Sequence, residues 1–173
     1  MERFQLRRIA IPLIIATLIL VVGVMNSIAE EKKKVSDTTY WFATKTEVIK
    51  VNEAKGHIIQ ISESKGINVG RKELAICRNT YDLVKGNGTL RGYSTLMGLD
   101  GKVIRNLKQE GKVITLLSAE GKPIMTGEGT WVVVPDNTWV TSVKGSGTWK
   151  LKMVSDGIFI MDWEGELAEW GQH

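Results

Sequence analysis

The side chains that could do chemistry gather on one short stretch. From Lys72 to Val84, alternation puts Glu73, Ala75, Cys77, Asn79, Tyr81 and Leu83 on one face of a strand. Turned into an enclosed interior, that face would present a carboxyl, a thiol, an amide and a phenol along a single line. A carboxyl in apolar surroundings has its pKa raised and can exchange protons near neutrality. Glu73 and Tyr81 are therefore the acid–base candidates, and Cys77, Asn79 and Tyr81 the candidate ligand contacts. The opposite reading buries Leu74 and Ile76 and leaves Glu73 in water. Tryptophan is the second resource, at Trp41, Trp131, Trp139, Trp149, Trp163 and Trp170. An indole offers a large apolar area and one donor, so Trp131, Trp149 and Trp163 are candidates for lining a ligand cavity. Filling a small core is their plainer use.

Other chemistries lack their residues. His57 and His173 are far apart, with no Cys/His cluster or acidic loop beside either, so no metal is expected. Gly86-Asn87-Gly88 lacks the third glycine of a dinucleotide loop: Arg91 stands there, and a strand follows. No Gly-x-Ser-x-Gly elbow occurs, and no cofactor is expected. Cys77 is the only cysteine, which excludes an intrachain disulfide and a lipidated cysteine behind the leader.

The elements that must position these residues read as strands. No helical periodicity longer than two turns occurs between Thr38 and Glu166. Strands are expected at Tyr40–Val51, His57–Ser62, Lys72–Val84, Thr89–Leu99, Lys102–Leu107 and Val113–Ser118. Further ones follow at Pro123–Thr126, Thr130–Val134, Thr138–Val143, Thr148–Val154 and Ile158–Glu164, some merging to give eight long strands. Two repeats supply corners. Asp100-Gly101-Lys102, Glu110-Gly111-Lys112 and Glu120-Gly121-Lys122 recur every ten residues and read as tight turns. Gly-x-Gly-Thr followed by an apolar residue recurs at Gly86, Gly127 and Gly145, where same-face glycines permit sharp bends. The fold expected is all-β: a single antiparallel, eight-stranded closed barrel over residues 38–173. In the last strand Phe159, Met161 and Trp163 share one face while Ile158 and Ile160 make the other apolar. That second face is either covered by the segment Leu167–Trp170 or contributes to a homo-oligomer contact.

The N-terminus is of another kind. Arg3, Arg7 and Arg8 precede an uncharged run, Ile9 to Met25, and Ser27-Ile28-Ala29 follows it. Seventeen helical residues span roughly 25 Å, a little short of a bilayer core. Residues 1–29 thus read as a signal peptide, or as an uncleaved N-terminal anchor helix. Residues 30–37, with Lys32-Lys33-Lys34, read as a solvated linker. The domain is expected to be exported, periplasmic or extracellular, touching the membrane only through residues 9–25 if they are retained. The whole chain carries a formal charge of +4, and loss of the leader leaves +2. That is too little for a nucleic-acid binder.

Glycine-rich hairpins ending in Gly145-Ser146-Gly147-Thr148-Trp149-Lys150 and Asp162-Trp163-Glu164-Gly165-Glu166 resemble the allene oxide cyclase and dirigent-like barrels over roughly Lys72 to Glu166. The resemblance implies an eight-stranded, often trimeric barrel with an apolar cavity, in which the cyclases hold a fatty-acid epoxide. The expected function is binding of a small, mostly apolar ligand in the barrel interior. The alternatives are a cyclase or isomerase using the same cavity, and a solid structural or oligomerising barrel.

Overall fold

A computed structural model describes residues 32–134 and 143–169. The strands are β1 (Lys32–Asn52), β2 (His57–Asn68), β3 (Glu73–Val84), β4 (Asn87–Met97), β5 (Val103–Leu117), β6 (Pro123–Val134), β7 (Val143–Ser155) and β8 (Ile158–Glu169). One 3-10 turn, Glu53–Lys55, joins the first two. Each strand pairs antiparallel with its neighbours in sequence. β8 returns to pair with β1, from Phe42↔Ile158 to Lys32↔Ala168, so the sheet closes into a barrel-like ring of eight. The leader, residues 138–142, Trp139, Trp170 and His173 lie outside the described residues.

Several elements differ from expectation. Lys32–Asp37, read as linker, is paired strand: it opens β1 against β8, and Val35 packs on the core. A run of lysines is compatible with a strand whose alternate residues face solvent, and here closure of the ring supplies the partner. The strands expected at Lys102–Leu107 and Val113–Ser118 merge into β5, Val103–Leu117, so Glu110-Gly111-Lys112, read as a turn, lies within a strand. Leu167–Glu169 does not fold back over β8 but continues it, between β1 and β7.

The other acid–glycine pairs do turn the chain. Gly101 and Gly121 have φ of 81° and 75°, and both loops close alike, Gly98 N to Lys102 O at 2.9 Å and Ser118 N to Lys122 O at 2.8 Å. Lys85 and Gly86 both adopt positive φ in the two-residue β3–β4 turn, as the twist of a tight hairpin requires.

The core follows a rule of register: a large side chain on one strand faces glycine on the next. Trp41 pairs with Gly66, Trp149 with Gly129, Trp131 with Gly147, and Asn79 with Gly92. Around the tryptophans the glycines continue into the following strand, as Gly111↔Gly129 and Gly147↔Gly165. A Cβ added at Gly129 would lie 2.5 Å from Trp149 Cζ2, and one at Gly165 2.5 Å from Trp131 Cζ2. The glycines are therefore seats for indoles lying flat on the inner wall, which is how aromatic side chains compensate glycine in a sheet. Two same-spaced motifs thus serve different ends: Gly86 turns the chain, whereas Gly127, Gly129 and Gly147 make room.

Candidate functional site

β3 alternates strictly, and the face carrying Glu73, Cys77, Asn79 and Tyr81 is the inner one. The opposite reading fails: Ile76 is 48% exposed. Trp131 and Trp149 are likewise buried, and Trp163 is partly buried against them. The ring therefore brings Glu73, Cys77, Asn79, Tyr81, Trp131, Trp149 and Trp163 to one interior, along with Arg105 and Gln109 of β5, which sequence patterning places in no site.

They form two polar clusters. Near the end of the ring where β1 begins, Glu73 is held on every side: Arg105 Nη2 donates to Oε2 at 2.6 Å, Arg71 Nε to Oε1 at 3.1 Å, and Asn68 Nδ2 to Oε2 at 3.3 Å. Thr39 Oγ1 donates to Asn68 Oδ1 and accepts from Trp163 Nε1 at 3.1 Å. The second cluster is smaller. Gln109 Nε2 donates to Asn79 Oδ1 at 2.7 Å and to Cys77 Sγ at 3.0 Å, and the Cys77 thiol itself donates to Asn79 Oδ1 at 3.1 Å. Gly92 permits this, since a Cβ there would fall 1.9 Å from the Asn79 amide oxygen.

This arrangement disfavours proton transfer. Glu73 meets two guanidinium groups and an amide, and these partners occupy both of its oxygens. Tyr81 is eight residues further along the same strand, roughly 26 Å away at strand rise, so the two acid–base candidates cannot serve one reacting atom. Burial pushes the Tyr81 phenol up to about 12, helped by the nearby Cys77 and opposed by Asn79. Burial also pushes the Cys77 thiol up to about 11, against the polar groups of Ser94, Asn79 and Gln109 that favour its thiolate. A thiol in that state is a weak nucleophile. Among the described residues no histidine attends it: His57 pairs with Asp82 at 2.7 Å on the outer surface.

The interior is also nearly full. Among the described residues, the pocket that opens between Trp41, Ser94, Arg105, Gln109, Trp149 and Met161 holds about 30 Å³. That suits one or two water molecules, whereas pockets for small ligands run to roughly 300 Å³ and more. Two polar atoms beside it, Trp41 Nε1 and Ser94 Oγ, are buried without a hydrogen-bond partner. The indole N–H groups on the other wall are satisfied: Trp149 donates to Thr130 O at 3.0 Å and Trp131 to Glu164 O at 3.2 Å.

Arg105 and Gln109 escaped the sequence because a charged residue in an alternating run looks solvated, and because Glu110-Gly111-Lys112 looked like a turn that ended the strand. The signal was present as Arg105, Leu107, Gln109, Gly111 and Val113, a period-two row leading into the most buried valine of the core.

No family model, no curated protein and no solved structure matches the chain.

Proposed function

We propose that the chain is an exported or membrane-anchored module built as a closed, solid-cored β-barrel, acting through its outer surface as a structural or binding scaffold. Of the three readings of the sequence, this is the barrel without an interior ligand. One observation carries it: among the described residues, tryptophans seated on glycines fill the interior and leave between them a pocket of about 30 Å³. A carrier of an apolar molecule must keep ten times that volume open or displace several indoles, and displacing buried tryptophan costs about 3–5 kcal/mol for each side chain. A cyclase or isomerase has the same need for room. It would also need Glu73 freed from Arg105 and Arg71.

Native mass spectrometry of the purified full chain tests the proposal. The expected result is the bare protein mass under conditions that retain lipid in a control lipid-binding barrel. A stoichiometric small molecule that co-purifies, and that is lost when Trp149 is replaced by Ala, overturns it.

A further inference from the structure

In an antiparallel ring the start of β1, the β2–β3, β4–β5 and β6–β7 connections and the end of β8 share one end of the barrel. At the tips of its turns Val69 and Leu99 are 55% and 70% exposed, with Ile67 half exposed behind them. Around them stand six cations: Lys32, Lys33 and Lys34 on β1, Arg71 and Lys72 on the β2–β3 turn, and Lys102 on the β4–β5 turn. Lys32 pairs with Glu166, Lys102 with Asp100 and Arg71 with Glu73. Lys33, Lys34 and Lys72 are in no ion pair among the described residues. The β2–β3 tip is held in place by Asp37, whose carboxylate accepts from Gly70 N at 2.9 Å and Arg71 N at 2.8 Å. At the opposite end Lys50 pairs with Glu53 and Lys122 with Glu120, Lys55 and Lys85 are in no ion pair among the described residues, and Leu116 and Leu117 are exposed; what sets the first end apart is the run Lys32-Lys33-Lys34 that opens β1.

Apolar tips set among unpaired lysines suit the interface of a bilayer with anionic headgroups, where side chains of both kinds are stabilised. The chain outside the structure leads to the same place. Only residues 26–31 separate the uncharged run Ile9–Met25 from Lys32, and six residues reach at most about 20 Å. We propose that this end of the barrel lies on an anionic membrane surface, with Val69 and Leu99 in the headgroup layer and Lys33, Lys34 and Lys72 against lipid phosphates. The proposal builds on the anchored form of the scaffold reading.

The test uses the full chain with a fluorophore placed by Leu99→Cys or, at the far end, Leu117→Cys; native Cys77 is buried. Each labelled protein is mixed with phosphatidylcholine vesicles, with or without phosphatidylglycerol, that carry a headgroup quencher. Flotation at low and at high salt reports anchoring separately. The expected result is quenching several times stronger at position 99 than at 117 on anionic vesicles. The contrast should fall on neutral vesicles, at high salt, and in the exposed triple variant Lys33→Gln/Lys34→Gln/Lys72→Asn, in which Asn suits the positive φ of position 72. Flotation that survives high salt with equal quenching at the two positions overturns the docking and leaves the anchor standing. Flotation lost at high salt but kept at low salt, with position 99 quenched, removes the anchor and supports the docking. No flotation at either salt overturns both.

Discussion

The two inner walls of the ring solve the same problem by opposite means. On β2 to β5 the interior is polar: Asn68, Glu73, Cys77, Asn79, Arg105 and Gln109 are all buried, and each touches another of them. On β6 to β8 it is aromatic and glycine-rich, with Trp131 and Trp163 edge to face at 5.8 Å and 85° and Trp149 laid over Gly111 and Gly129. A buried polar wall is held by directional pairs and fails when one partner goes. An indole wall is held by volume and fails when a cavity opens or a methyl intrudes. Both walls are closely packed, and the two kinds of packing should fail in different ways.

The polar wall offers the largest effect. Glu73→Met takes away the carboxylate to which the Arg105 guanidinium, 3% exposed, donates. Breaking a buried pair from one side costs about 3–5 kcal/mol, read as the shift in the urea midpoint. The double variant Glu73→Met/Arg105→Met should regain most of that loss, because two well-packed apolar groups replace a buried pair at little cost. A single variant as stable as the parent would show that the pair is solvated and that the polar wall is open to water.

The indole wall breaks differently, and two glycines sharpen the contrast. Gly129→Ala sets a methyl 2.1 Å from the Glu110 carbonyl oxygen as well as against Trp149, so overpacking should cost about 3 kcal/mol, and trimming Trp149 should not restore it. At Gly66 the obstacles are side chains alone, Trp41 Cε3 at 2.7 Å and Thr39 Cγ2 at 3.0 Å. Gly66→Ala should therefore cost less, and in a Trp41→Phe background the two changes should be markedly non-additive by thermal unfolding. Additive losses at Gly66 would mean that the indole is not what the glycine accommodates.

How far the walls could be read beforehand follows from their chemistry. β3 was legible because its alternation is unbroken and one face is far more polar than a surface strand needs; the ring then turned that face inward. Closure itself, with eight strands, was legible from the turn spacing. The indole wall was only half legible: the Gly-x-Gly-Thr-Trp repeats were visible, but their glycines read as corners. A missing side chain looks the same in sequence whether it serves a positive φ, as at Gly121, or a neighbour's volume, as at Gly111. The lysines of 32–34 read as tether because charge runs carry no sign of the strand that will pair with them.

A pH series tests the polar wall again. Cys77 and Tyr81 have folded-state values raised to about 11 and about 12 from 9.0 and 10.0. Above pH 9 the unfolded chain loses these protons before the folded one does. The stability they confer is thus complete below about pH 9 and is lost as pH climbs through 11 to 12. Between pH 8.5 and 11 the loss should be about 3–4 kcal/mol, with Cys77 the larger contributor, and Cys77→Val should flatten the first part of the decline in a urea-midpoint series. An unchanged slope in that variant would locate the titration elsewhere. The same burial should leave the native thiol unlabelled by a thiol reagent at pH 8 until the protein is denatured.

The smallest effect lies at the seam between the walls, where Trp41 Nε1 and Ser94 Oγ border the residual space without a protein partner. A buried hydroxyl left dry costs about 1–3 kcal/mol, and deleting it as Ser94→Ala would then stabilise the protein. A space of about 30 Å³ beside an indole N–H, a hydroxyl, Arg105 and Gln109 instead suits an ordered water that accepts from Trp41 and satisfies Ser94. Ser94→Ala should on that account destabilise by no more than about 1 kcal/mol, and Trp41→Phe, which removes the donor on the far side of the same water, should couple to it in a double-mutant cycle. A stabilised Ser94→Ala would mean that the seam is dry and that the interior holds two unmet polar groups. The polar wall would then end at Gln109 and Ser94, short of the tryptophan it faces.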